Sequence, residues 1–320
     1  MKPLLLLALT TPFALAQGPL IPPAAPAPSM KALAQIEART PIPASPAVPI
    51  AGQHFTITAP GSYYLTGNIQ VTSGDGILID SSNVTLDFNG FALISTTVAG
   101  PTTGNAINLG SGVSNIHLRN GNILGGTTRT AGPPVTYTSL GWYAGISDKL
   151  ASPSENVQIS QINVKGCGYG IFLNGKGSIL SHINASGNEY NGIATRQGSI
   201  TSSIANNNGQ SGIVTLPGSV ITSHATGNGD SGIYVSNGSI TNCTATKNAR
   251  NGISAYRGVI TSSVASDNGG DGIFAQQGVV SDCRAFDNDT NPDLFIGVGI
   301  RWPLGKLHNS LADTALPAIP

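Results

Sequence analysis

Charge is what this sequence has least of. Of its 320 residues only 9% are Asp, Glu, Lys or Arg, and 15 positive side chains balance 15 negative ones. Sparse, balanced charge leaves no electrostatic footprint for nucleic acid or for an anionic membrane surface. Three cysteines, an odd number, do not make a disulfide framework. Methionine occurs twice, once as Met1, so no soft copper-I site can be assembled. No apolar run reaches the ~20 residues that a membrane-spanning helix needs. Disorder is excluded, because the low charge comes with ample Ile, Val and Leu. Collagen is excluded too, since 41 Gly fall far short of one residue in three.

The chain opens with MKPLLLLALTTPFALA. Lys2, the short apolar run Leu4–Leu9 and the small residues Ala14 and Ala16 predict a signal peptide over 1–16, cleaved before Gln17. Secreted or periplasmic localisation follows from it. Residues 17–49 carry nine prolines and read as an extended linker. Within it Ser29 is a fitting N-cap, and Met30, Leu33 and Ile36 share one helical face. That predicts a short amphipathic helix over 29–39, which would cap the core or drive oligomer formation with its own copies.

Internal repetition decides the fold. Gly-Ile recurs at 192, 212, 232, 252 and 272. Asn188, Asn208, Asn228, Asn248, Asn268 and Asn288 keep the same 20-residue period, as do the alanines from Ala185 to Ala285. Gly198, Gly218, Gly238, Gly258 and Gly278 make a fourth series, each two residues before Ile or Val. A leucine-rich repeat has a similar pattern, but its inner leucine positions hold Ser, Cys and Ala here. Each missing buried methylene would forfeit ~0.8 kcal/mol. A calcium-binding β-roll would need a G-G-x-G-x-D nonapeptide that is absent. A parallel β-helix fits: short strands separated by turns, with coils stacked ~4.8 Å apart so that equal positions form ladders. Each Asn amide could then donate to the coil on one side and accept from the other. The two Gly series are expected to supply positive φ at the corners.

The N-terminal half has the same grammar with longer intervals. Val84, Leu86, Ile116, Leu118, Val157 and Ile159 alternate with polar residues, as strands with one inner face do. Loops are expected at 95–104, 125–142 and 148–155. The reading is an all-β, single-stranded parallel β-helix of about ten coils over 50–303, with 304–320 as a C-terminal cap or tail, and Leu294–Trp302 helping to close the core.

The segments GSYYLTGNIQV, DGILID, NVTLDFNGF and IHLRNGNI, followed by A-x-x-N-x-x-x-GI coils, resemble bacterial right-handed parallel β-helix repeat proteins of the pectate-lyase-like superfamily. The resemblance spans about Ile57 to Ile300. It implies a right-handed coil and a carbohydrate-binding or sugar-processing role. Relatives that are enzymes cleave or epimerise acidic polysaccharides, and others are periplasmic copper-binding proteins.

The residues leave open whether this chain is an enzyme. Hydrolysis needs two carboxylates flanking the scissile bond, and neither an Asp-Asp pair nor a Gly-His-Gly occurs. Lyase or epimerase chemistry needs a base and a cation that neutralises a uronate carboxylate. In the aligned strands Thr85, His117 and Gln158 share one outward position, and Asp87, Arg119 and Ser160 the next. Arg129, Tyr137, Trp142, Tyr143 and Lys149 lie in the long loops assigned to the same region. These give a candidate sugar-binding groove of Asp87, His117, Arg119, Gln158, Arg129, Tyr137, Trp142, Tyr143 and Lys149, with the rings as stacking faces. The bland alternative for Asp87 and Arg119 is a surface ion pair. Five scattered histidines hold no transition metal, and Asp267, Asp271, Asp287 and Asp289 read as solvated turn acids rather than a calcium site. Cys243 and Cys283, two coils apart, are too distant to be bridged and read as buried fillers. No cofactor is expected. The expected partner is a polysaccharide or surface glycan. The alternative function is a non-catalytic structural or surface-interaction solenoid.

Overall fold

Each 20-residue repeat closes one coil, and its turns come from isolated left-handed residues. The computed structural model describes residues 38–44, 53–97, 104–288, 300–301, 306–308, 310–312 and 315–316. The leader at 1–16, Pro292, Asp289, Trp302 and the helix expected at 29–39, apart from Ala38 and Arg39, lie outside them. Ala38 and Arg39 are not helical, and no helix occurs among the described residues.

In the regular half the Gly-Ile step starts a long extended segment, as in Ile193–Thr201, Ile233–Thr241, Ile253–Thr261 and Ile273–Ser281. Pro217, which has no N–H to give a ladder, falls in the break between Ile213–Thr215 and Gly218–Ile221. One residue at φ 48–54° (Ser202, Thr222, Asn242, Ser262 or Asp282) then turns the chain into a three-residue strand such as Ile204–Asn206. A second left-handed residue (Asn207, Gly227, Lys247, Asp267 or Asp287) turns it again. Left-handed backbone is costly for residues with a Cβ. Here it is offset because these N–H groups bond to the next coil, Ser202 N to Ile221 O at 3.0 Å and Thr222 N to Thr241 O at 2.9 Å.

The glycines expected at these corners do something else. Gly192, Gly212, Gly232 and Gly252 do not have positive φ. A Cβ on Gly212 would lie 2.7 Å from Asn228 Nδ2, 2.7 Å from Gly232 O and 3.1 Å from Ala225 Cβ. Glycine is required there because the next coil's ladder amide fills the space of a side chain, and the neighbouring Ala series is small for the same reason.

Stacking is parallel and in register. Ile193, Ile213, Ile233, Ile253 and Ile273 pair coil to coil and are all fully buried. Beside them Asn188, Asn208, Asn228, Asn248 and Asn268 are buried as a column. Each Nδ2 donates to the next Asn Oδ1 at 2.9 Å, and each backbone N–H from Asn188 to Asn268 donates to the same oxygen. The second Nδ2 proton of Asn208, Asn228, Asn248 and Asn268 goes to an Ala carbonyl of the preceding coil. At the other corner Ser203, Ser223 and Ser263 accept a backbone N–H from the coil before and donate to the carbonyl two residues back. Cys243 and Cys283 take this place with their thiols.

The irregular half obeys the same register, with Thr85, His117 and Gln158 on one rung line and Asp87, Arg119 and Ser160 on the next. At the start, Thr40–Ile42 pairs with Tyr63–Leu65. Beyond Asn288, Ile300–Arg301, Lys306–His308 and Leu311–Ala312 add parallel rungs to the preceding coil. One departure stands out among the described residues. The segment expected as a loop at 125–142 contains an antiparallel hairpin, Thr128–Thr130 with Thr136–Thr138.

Two predictions follow from the columns. Asn228→Ala strands the backbone N–H and one Nδ2 proton of Asn208, so it should lower unfolding stability by about 3 kcal/mol or more, measured by denaturant titration; a loss below about 1 kcal/mol would mean the column does not hold the stack. All three cysteines are buried and unpaired. Burial pushes Cys167 up to about 12 and Cys243 up to about 11. A thiol reagent should therefore titrate three groups only after unfolding, and rapid labelling of native protein at pH 8 would contradict the packing.

Candidate functional site

The residues singled out in the sequence do not form one groove. They divide into a braced face near the start of the solenoid, a cleft under the hairpin, and positions that belong to neither.

On the braced face Asp87 is not part of a surface ion pair but is itself buried. Its carboxylate receives Arg119 Nη2 at 3.0 Å, Arg39 Nη1 at 3.2 Å, Asn89 N–H at 2.8 Å and Asn120 Nδ2 at 3.2 Å. Four donors saturate it, so it ties the chain entering at Arg39 to two coils and has no spare lone pair for catalysis. Arg39 also lies over the Tyr64 ring, 4.7 Å from its centroid. His117 stands beside this cluster with its pKa lowered by burial and by Arg119, against an opposing pull from Asp87. It is neutral at pH 7. Gln158 is exposed on the next rung.

The hairpin arches over the second corner of the regular coils. Tyr137 hydroxyl donates to Asn207 O at 2.7 Å, and Ser139 hydroxyl donates to the Glu189 carboxylate. Thr127 hydroxyl ties the base to Leu140 O at 3.2 Å. Between hairpin and coils lies a cleft of about 900 Å³. Its roof is Arg129, Pro133, Pro134, Val135 and Tyr137, and its floor includes Asn207, Gly227 and Lys247, the left-handed corners of three successive coils. Glu189 closes one side. Arg129 Nε is buried with no hydrogen-bond partner. Burial raises the Tyr137 pKa, while a hydrogen bond from Arg129 opposes the rise.

Glu189 leads directly to an aromatic patch. Tyr143 meets Tyr169 edge-on at 5.4 Å and Tyr190 at 6.4 Å; Tyr169 contacts Tyr190 at 4.8 Å and stacks on Phe172 at 4.9 Å. Burial raises the pKa of Tyr169, helped by Tyr143, and that of Tyr190, helped by Glu189 and Tyr143. Tyr169 and Tyr190 are therefore protonated at pH 7. Tyr143 is 42% exposed, so the patch has an open face. Of these rings only Tyr143 was expected from the sequence. The signal for Tyr190 was available, since both stand two residues before a Gly-Ile step.

Trp142 is corrected outright. It is 1% exposed, donates Nε1–H to Gly74 O at 3.0 Å and belongs to the core, so it offers no stacking face. Lys149 is exposed in the turn that includes Ser152, and it lines neither the cleft nor the braced face. Among the described residues no three His, Cys, Asp or Glu side chains converge as a metal site. Of the acids weighed for calcium, Asp267 and Asp287 occupy corners, and Asp271 is ion-paired with Arg301 at 3.1 Å.

Comparison with known proteins agrees with this geometry at the level of the fold. No curated protein sequence matches the chain. Two A-modules from Azotobacter vinelandii are similar in structure. The mannuronan C-5 epimerase AlgE6 module has 17% identity and TM-score 0.59, over 76% of this chain and 71% of its own. The AlgE4 module has 15% identity and TM-score 0.60, over 82% and 89%. The periplasmic alginate epimerase AlgG has 13% identity and TM-score 0.51, over 82% and 78%. Residues 154–301 match the model of the right handed beta helix region. That match covers a little under half of the chain, and it agrees with the right-handed parallel β-helix that the coils form.

Proposed function

We propose that this chain is an exported β-helix protein that binds an acidic polysaccharide in the cleft beneath the 128–138 hairpin. One observation carries the reading: the hairpin holds Arg129 over a cleft whose floor reaches the exposed Lys247, and Glu189 links that cleft to an open patch of tyrosines. Sugar rings present C–H faces that pack on aromatic rings, and uronate carboxylates are recognised by cations held away from bulk water. Arg129 brings a guanidinium to that task from the roof of the cleft, beside the Tyr137 hydroxyl. The described residues contain no helix long and apolar enough to cross a membrane, and the leader-like residues 1–16 support export. The neighbours named for mannuronan and alginate are similar in fold, which is compatible with this reading.

Binding without bond cleavage is the form the residues favour. Asp87 is saturated by its donors, and Tyr137 is protonated at pH 7 and committed to Asn207 O. On this reading Arg129, Tyr137 and Tyr143 remain substrate-binding residues, joined by Tyr169, Tyr190 and Lys247. Asp87 and Arg119 brace the scaffold.

The test is affinity electrophoresis or calorimetry with alginate, polygalacturonate and neutral polymers. Arg129→Ala and Tyr190→Ala should each weaken binding of an acidic polymer about tenfold, or about 1.4 kcal/mol. Binding should also fall as salt rises, through screening of the two cations. Unchanged affinity in both variants would remove the site from the cleft, and formation of unsaturated uronates would replace binding with lyase activity.

A further inference from the structure

Asparagine followed by glycine occurs nine times, at 89, 120, 174, 191, 208, 228, 237, 251 and 268. Such a step is chemically labile, because glycine has no Cβ to shield its nitrogen from the preceding carboxamide. The fold restrains most of these steps. In the column, Gly209, Gly229 and Gly269 N–H each donate to the Asn carbonyl of the preceding coil at 2.8 Å. The carboxamides beside them are buried and bonded to the coils on both sides. Gly192 and Gly252 N–H donate to the following coil. Gly90 N–H is held by Asn120 O, and Gly175 N–H by the Asp148 carboxylate. Gly121 is packed against the Phe88 ring.

The step Asn237-Gly238 is held differently. Both residues are exposed. The strand Ile233–Thr241 pairs with the preceding coil over 233–235 and again over 238–241, so Ser236 and Asn237 face the break at Leu216 and Pro217. Pro217 O, across that break, accepts the Thr215 hydroxyl at 2.9 Å. The Asn237 carboxamide makes a long contact with its own neighbour, Nδ2 to Ser236 Oγ at 3.5 Å, where a hydrogen bond restrains little. Gly238 has φ 148°, a conformation that favours glycine. On the other side Arg257 stands directly in register with Asn237. Its Nε donates to Gln277 Oε1 at 2.8 Å, and its guanidinium lies 5.3 Å from the Tyr256 ring centroid, so the cation is held beside the step.

We propose that Asn237 is a site of spontaneous deamidation, and that Arg257 assists the reaction and then pairs with its product. Gly238 N gives its proton to solvent hydroxide and attacks Asn237 Cγ. The new C–N bond closes a five-membered imide, the bond to the side-chain nitrogen breaks, and ammonia leaves. Water then opens the ring at one of its two carbonyls, leaving aspartate or isoaspartate. No oxidant or reductant enters. A guanidinium on the adjacent rung favours the deprotonated nitrogen and the negative charge that builds on the carboxamide oxygen. Afterwards it faces the new carboxylate across one coil spacing of ~4.8 Å. The folded chain therefore ages first at this step, which gains a negative charge. Asn208, Asn228 and Asn268 undergo the same reaction only when their coils open, and an acid there no longer fits the column. None of this depends on the hairpin cleft.

The experiment is timed incubation of the purified native protein at pH 8, followed by peptide mass spectrometry with aspartate and isoaspartate separated by chromatography. Asn237 should convert at least about tenfold faster than Asn208, Asn228 or Asn268, whose reaction must wait for the coils to open. In urea the four rates should come together. Arg257→Gln should slow conversion at Asn237 several-fold and leave the column rates unchanged. Asn237→Asp, which supplies one product directly, should melt at or above the temperature of the parent protein. The same change in the Arg257→Gln background should melt lower than Arg257→Gln itself or be neutral. Gly238→Ala is not a usable control, because its Cβ would lie 1.7 Å from Gly218 O. Conversion at Asn237 no faster than in the column of the native protein overturns the proposal. An unchanged rate in Arg257→Gln overturns it as well.

Discussion

The column of buried asparagine amides is the interaction on which the rest of this structure depends. An amide inside protein must have its donors and acceptor satisfied. Here each amide is satisfied only if another stands one coil above and one below. That requirement fixes the coil at 20 residues through the regular half, because one insertion would break two amide contacts at once. It sets the residues around the column too. Glycine at 212, 232 and 252 makes room for the amide, and alanine at 225, 245 and 265 bounds that room. With the inner space so confined, the outer surface carries the variation, including the hairpin.

Much of this was legible in the sequence, because ladders write the period of the fold directly into the chain. The Asn, Ala and Ile series gave the coil, its stacking and its inner face. What the pattern could not distinguish was why a glycine is conserved in position from repeat to repeat within the chain. Positive φ and close approach leave the same mark. The structure assigns the corners to Ser202, Asn242, Lys247 and their equivalents, whose left-handed backbone is stabilised by bonds to the next coil.

The candidate site was less legible, for a physical reason. Repeat register predicts neighbours along the axis well, and the rungs of Asp87 with Arg119 and His117 with Gln158 were read from it. It says nothing about a segment that leaves the coil. Arg129 and Tyr137 sit on such a segment, and the hairpin carries them past the next coil to Glu189, Asn207 and Lys247, which belong to three later coils. Trp142 was misjudged because a large aromatic in a long irregular interval looks exposed, whereas its N–H reaches Gly74 O within the core.

The claim that joins fold to function is that a rigid ladder holds the hairpin over a glycan-binding cleft. Hydrogen-exchange mass spectrometry with and without saturating acidic polysaccharide tests it most directly. The account predicts that the amides of the asparagine column exchange slowly in both states, and that added protection concentrates in residues 128–138 and 189–191. Protection confined to the braced face around His117, or a column that exchanges as fast as the exposed turns, would contradict it.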